Sequence, residues 1–284
     1  MNEAIMKFRD ETTARLIEAI KSGTAPWQRP WNGSYGAQNA VSHRLYNGIN
    51  QILLMARGVE IDGGADPRWL TYRQAICNGW KIKKGSKGTH VVLWKPIVAE
   101  KDDELCDDKI LGVMQRVFTV FHASHIDGIG EYRPVLLSEF EAQEKAEQII
   151  VGSKANINHC GNEAFYEAIG DYIQLPVKGD FKSVECYYST LLHELIHWTG
   201  HSSRLDRLGG YYRSKSNRAL EELVAEIGSM FLSCEAGIPQ SEGEFQNHAS
   251  YIDSWIKCLE SDNNAIFRAA AQASRASDFL LKRV

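Results

Sequence analysis

Nothing in these 284 residues approaches the ~20 consecutive apolar residues of a membrane-spanning helix. The opening decapeptide, MNEAIMKFRD, also lacks the apolar segment of a secretory signal. The expected compartment is the cytoplasm, with no membrane partner. Cysteine is sparse and scattered: the six, at 77, 106, 160, 186, 234 and 258, form no Cys-x-x-Cys pair. That excludes a zinc ribbon and a disulfide scaffold and suits reduced, structural thiols. There is no internal repeat, no low-complexity tract and no basic helix of the kind that reads a duplex groove. What remains, 44% apolar and 24% charged, is ordinary folded protein whose length suits two domains better than one.

The net charge of −4 conceals an asymmetry. Residues 1–100 hold 14 Lys and Arg against 8 Asp and Glu, a balance of +6, and the remainder carries −10. A basic front and an acidic back suggest two tasks, with the front suited to polyanions. The charged stretch 101–109 reads as a hairpin loop between two strands, 91–94 and 113–121. A glycine-containing connection follows, and Ser138 with Glu141 forms a capping-box pattern that opens a helix through Ile150. These features divide the chain into a front domain (1–125), a linker (126–137) and a back domain (138–284).

The back contains His193-Glu194-Leu195-Ile196-His197. On a helix, residues four apart share a face, so both imidazoles can ligate one metal while Glu194 points at its bound water. The apolar run 187–192 continues into Leu195 and Ile196, the pattern of a buried helix, and Gly200 is placed to end it. A third ligand is required. A histidine six residues after His197 is one solution, but that position is Ser203. The other is a carboxylate from a later helix. Residues 219–232 fit, with Leu220, Leu223, Val224, Ile227 and Phe231 as the buried stripe and Glu222 and Glu226 four apart beside it. Glu222 is the expected ligand and Glu221 the fallback. Glu226 is the outer carboxylate that orients a ligand histidine through its free ring nitrogen. His201 is expected outside the ligand set, as a cap, an outer donor or a surface residue.

These parts define a zinc hydrolase in which Glu194 takes the proton of the attacking water and passes it to a leaving amine. Manganese or another divalent first-row ion fits the same ligands. For the oxyanion the candidates are His248 and Tyr251, or Tyr211 and Tyr212; Tyr251, with Trp255 four residues on, also suits a packed aromatic helix face.

In the front, aromatic residues alternate with cations. Trp27, Arg29 and Trp31 lie in a proline-stiffened turn, followed by Tyr46, Asn47 and Asn50, then Arg68, Trp69 and Tyr72, then Lys83, Lys84 and Lys87 in a basic turn. Flat faces for bases and positive charge for phosphates are what single-stranded DNA requires. Trp69, Trp80 and Trp94 equally suit a core, and the lysines a solvated hairpin.

Together these segments resemble the ArdC-type antirestriction proteins of conjugative plasmids and mobile elements. In the front the resemblance rests on Pro26, Trp27 and Trp31 and on residues 46–50, 68–72 and 84–89. In the back it rests on Phe165 and Tyr166 and on residues 171–176, 191–201, 204–207, 221–228 and 248–255. It implies an α+β protein of two domains. The first is an α+β domain that binds single-stranded DNA, also found attached to plasmid primases. The second is a mostly helical zincin-like metallopeptidase domain with a small sheet, to which His193, Glu194, His197 and Glu222 carry over as the metal motif. Residues 171–176 would be the edge strand beside the cleft, where a substrate backbone can add. The implied role is protection of incoming single-stranded DNA from restriction, by coating the strand or by cleaving an unidentified host protein. The competing functions are a regulatory peptidase that cleaves a repressor or toxin, and a DNA-coating protein whose metal is structural.

Overall fold

The β-branched stretches that flank the charged loop form the longest ladder in the molecule. In the computed structural model, which describes residues 3–22, 36–98, 110–134, 137–239 and 249–282, β4 (Thr89–Val98) pairs antiparallel with β5 (Ile110–His122). The loop itself, 99–109, lies outside the described residues. β5 also pairs with β2 (Arg68–Thr71), which carries the short parallel strand β1 (Gln38–Asn39), giving the order β1-β2-β5-β4. The outer edge of β4 is closed by a side chain from α2 (Ile49–Asp62). Asn50 accepts the Val92 N–H at 2.8 Å and donates to the Val92 carbonyl at 2.7 Å, so the outward polar groups of Val92 are paired.

A second, smaller layer sits on this sheet. Thr71 and Gln74 form a capping box that opens α3 (Tyr72–Cys77), and β3 (Lys81–Ile82) pairs with β6 (Ile126–Asp127). Between them lies a small core of Ala40, Leu70, Ala75 and Ile126, with Trp80, Ile82, Phe121 and Ile129 against it. Residues 126–130 therefore pack on the front domain: Gly128 approaches Trp80, and the Gly130 carbonyl accepts from Arg68 at 2.7 Å. The stretch expected to be the linker thus begins inside a sheet.

The back is helical. Ser138 caps α4 (Glu139–Ser153) in the expected box with Glu141. Three short strands follow, β7 (Asn156–His159), β8 (Phe165–Glu167) and β9 (Tyr172–Leu175), in the order β7-β9-β8. The strand expected at the edge, 171–176, is thus the centre of this sheet, because β7 pairs parallel on one side and β8 antiparallel on the other. Four helices complete the layer: α5 (Val184–Thr199), α6 (Lys215–Ala236), α7 (Ala249–Ser261) and α8 (Ala265–Leu280). Among the described residues no helix is long and apolar enough to cross a membrane.

One main core runs through both halves, from Phe8, Leu16 and Ile52 to Leu195, Leu223 and Ala270. The helix α1 (Glu3–Lys21), although first in the chain, lies against the helices at its end. Phe8 meets Phe267 edge to face, Thr13 donates to the Asn263 carbonyl, and Lys21 pairs with Glu260 at 2.8 Å. Trp69 is 1% exposed, over Gly58 and edge-on to His122 at 4.8 Å. Trp69→Ala is predicted to cost about 3–5 kcal/mol of folding stability, the range for emptying a tryptophan site in a core, as measured by denaturant unfolding. A loss under 1 kcal/mol would contradict this placement.

Candidate metal centre

The helix α5 is apolar enough to be buried along almost its full length, so its polar residues stand out. Ser183 caps its start by accepting the Cys186 N–H, and Gly200 ends it. A Cβ at Gly200 would lie 2.9 Å from Leu208 and 3.0 Å from Arg207, so any larger residue would crowd the turn after α5. The helix α6 crosses α5 equally closely. A Cβ at Gly228 would fall 2.7 Å from the Ile196 side chain. Ile196 lies between the two histidines in sequence, so this contact presses the acidic stretch of α6 onto them.

The result is a cluster of five side chains. Glu222 Oε2 lies 3.6 Å from His193 Nε2 and 3.7 Å from His197 Nε2. The Nδ1 atom of each ring faces another carboxylate: His193 faces Glu226 at 3.6 Å, and His197 faces Glu221 at 3.1 Å. The separations to Glu222 are long for hydrogen bonds. They match the spacing of about 3.4 Å expected between two ligands bound tetrahedrally to one ion at ~2.1 Å. Donor atoms of His193, His197 and Glu222 all fall within 4.8 Å of one another, so the donor set and its geometry fit a divalent first-row ion.

Glu221, the fallback ligand, is turned away from that point. Its two carboxylate oxygens accept from Arg207 at 2.7 and 2.8 Å, and Arg207 also donates to the Ile196 carbonyl. An Arg207–Glu221–His197 chain thus fixes one ring. Arg207 belongs to the 204–207 segment that carries the family resemblance, but nothing local to it in sequence points to Glu221. His201 does not join the cluster: its ring bonds the Ser203 hydroxyl at 2.8 Å and shapes the turn after α5. His248 and the side chains of Tyr251, Tyr211 and Tyr212 lie outside the described residues.

Glu194 is 7% exposed. Burial raises its pKa above the ordinary carboxylate value, against the pull of the two histidines and of the Tyr166 main chain. Since Tyr166 is in β8, an outer strand of the small sheet runs beside Glu194. That strand is held by Arg204, which donates to Asp171 and to the Tyr166 hydroxyl while stacking 3.8 Å from the Trp198 ring.

The front residues separate by environment. Trp27, Arg29 and Trp31 lie outside the described residues. Trp69 is core, which removes it as a stacking face, and Asn50 is committed to β4. Arg68 is paired through two bonds with Asp66, which neutralises it. Tyr46 is half-buried and accepts from Asn39. Lys83 donates to the Ser124 carbonyl and lies 3.9 Å from Asp127. Asn47, Tyr72, Lys84 and Lys87 are exposed. Trp94, compatible with a core from sequence, is 45% exposed beneath the Arg9 guanidinium.

The back is thus a zincin-like domain in both fold and site, and its family description agrees: residues 144–272 match a zincin-like metallopeptidase family. Residues 6–150 match the family described as the N-terminal domain of anti-restriction factor ArdC. The chain belongs to the ArdC family of antirestriction proteins. The two matches overlap over residues 144–150, within α4. The crystal structure of antirestriction protein ArdC from plasmid R388 superposes with a TM-score of 0.80 at 33% identity, covering 96% of each chain. Its Mn(II)-bound form gives 0.79. Two Escherichia coli proteins named DNA primase TraC are 43% and 41% identical over 99% and 96% of this chain, which spans only 28% and 20% of their lengths. The protein y4eC of Sinorhizobium fredii is 32% identical over 95% of this chain and 90% of its own.

Two outcomes test this geometry. Burial opposes protonation of both histidines, yet the facing carboxylates win: Glu222 and Glu226 raise His193, and Glu222 and Glu221 raise His197 well above 6.5. A metal must displace those protons, so its affinity should fall as pH drops through the raised values, and binding near neutral pH should release protons. Calorimetry in buffers of different ionisation enthalpy reads this directly; no proton release at pH 7 would contradict it. With no metal bound, the sign for folding is opposite. The raised histidines stabilise the fold fully below about 6.5 and lose that contribution as pH rises through their folded values. Separately, Arg207→Met leaves Glu221 buried without its main partner. It should cost about 3–5 kcal/mol of stability by denaturant unfolding, as for other broken buried ion pairs.

Proposed function

We propose that the back domain is a zinc-dependent peptidase and that the front binds single-stranded DNA, so that the two together protect incoming mobile-element DNA from restriction. The observation that carries the peptidase reading is the position of Glu222 Oε2 opposite both His193 Nε2 and His197 Nε2, with Glu194 buried on the same helix. In this reading His193, His197 and Glu222 hold the ion, with zinc favoured and manganese a substitute. Glu221 accepts from the remaining ring nitrogen of His197, and Glu226 faces that of His193, which sets the aim of each imidazole. A divalent ion in this setting supplies Lewis acidity, making water a stronger acid and polarising a scissile carbonyl.

The other roles belong to the protein. Burial gives Glu194 a raised proton affinity, which suits a group that takes a proton from water and returns it to a leaving amine. β8 pairs with β9 on one side, leaving its other edge for an extended substrate backbone held by strand pairing. Arg204, through Asp171 and Tyr166, keeps that strand in register with Glu194. A site with only a structural ion has no use for a buried base. That distinction supports an enzyme over a coating protein.

Glu194→Gln should retain bound metal, read by elemental analysis, while lowering cleavage of an unfolded protein substrate about 10²–10⁴-fold, the usual contribution of a general base. In a transfer assay the same variant should lose protection against restriction. Full protection with the variant would overturn the enzymatic reading and leave DNA coating as the mechanism.

A further inference from the structure

Between Asp66 and Glu100 the chain has no acidic residue, yet it carries seven Lys and Arg. The structure gathers much of this stretch into one place. It contains β2, α3, β3 and β4, and the first three contribute to the small core of Leu70 and Ala75. Two of the seven cations, Arg68 and Lys83, are engaged as described above. Four others, Arg73, Lys81, Lys84 and Lys87, are exposed and meet no acidic side chain among the described residues. Lys84 and Lys87 flank a turn in which Gly85 adopts φ 88° and Ser86 donates back to the Lys83 carbonyl. Arg73 is on α3, which packs directly against β3, the strand that carries Lys81.

The same lobe exposes two large apolar side chains. Tyr72 is 60% exposed and Ile76 56% exposed, and four residues apart on α3 they share a face. An aromatic ring and an aliphatic surface left in water, beside unpaired cations, match one kind of partner: a polyanion with flat apolar faces between its charges. A duplex hides those faces in its stack, and an acidic peptide lacks them.

We infer that the lobe formed by α3 and the β3–β4 turn is the single-stranded DNA contact of this chain. Tyr72 and Ile76 receive bases, and Arg73, Lys81, Lys84 and Lys87 follow the phosphates. This rests on the proposed DNA-binding function and narrows it to one surface. Tyr72, Lys84 and Lys87 remain from the sequence reading, Arg73, Ile76 and Lys81 are added, and Trp69, Asn50 and Arg68 drop out.

The test is fluorescence anisotropy of the full chain with a labelled oligothymidylate across a salt series. Four neutralised phosphates predict a slope of log affinity against log salt of about −3, since each contributes about 0.7 on a single strand. Replacing Arg73, Lys81, Lys84 and Lys87 together by Ala should bring the slope close to zero. Tyr72→Ala should weaken binding about 5- to 100-fold while leaving the slope in place. Thermal unfolding of each variant checks that the fold persists. If the wild type binds and the fourfold variant keeps its slope and affinity, this lobe is not the contact, and DNA binding lies elsewhere in the front. If the wild type does not bind at low salt, the DNA-binding function and this inference fall together. Equal affinity for the duplex would also overturn the assignment, because bases in a duplex are not available to Tyr72.

Discussion

Three carboxylates within six residues of one helix, Glu221, Glu222 and Glu226, are each less than a tenth exposed. Removing one such charge from water without a partner is prohibitive, and removing three together is possible only if everything around them is cationic or metallic. Much of the back domain follows from meeting that demand. Glu221 is met by Arg207, which is available because Gly200 lets the chain fold back over the end of α5. Glu222 and Glu226 are met by His193 and His197, which come within reach because Gly228 lets α6 settle against Ile196. The two glycines and the arginine touch no substrate in this scheme, yet they set the approach of α6 to α5 and the place of Glu221.

The pairing of His193 with His197 on one helix was legible because it is local. Two histidines four apart and a helix with an apolar stripe are short-range patterns, and the capping boxes at Ser138 and Thr71 are equally short. Which glutamate does what was less legible. Glu221 and Glu222 are neighbours in sequence and differ only in rotation around α6, so the choice depends on which partner each meets, and Arg207 comes from a turn that sequence cannot fold. The small sheet was misplaced for a related reason. Strand order depends on pairings that the residues of one strand do not encode, so Tyr172–Leu175 read as an edge although its buried Ile173 and Leu175 suit a centre.

The front was harder, and Trp69 and Trp94 illustrate why. Both sit in strands of the same sheet beside cations, yet one is sealed and the other lies open. Composition alone cannot separate them, because a tryptophan serves a core and a nucleotide equally well. Burial and pairing decide, and neither is set by the residue's own type. Asp66 disqualifies Arg68 from two residues away, and Val92 claims Asn50 across 42 positions.

The packing of α1 on α7 and α8 bears on how such proteins are assembled from parts. A helix that begins the chain completes the layer that ends it, and one core runs through both. Neither half has a finished surface of its own, so a genetic exchange that carried only one would expose the side chains that the other covers. The two Escherichia coli primases resemble almost the entire chain rather than one half, although it makes up less than a third of either. A shared seam of this kind turns two functional domains into a single heritable cassette.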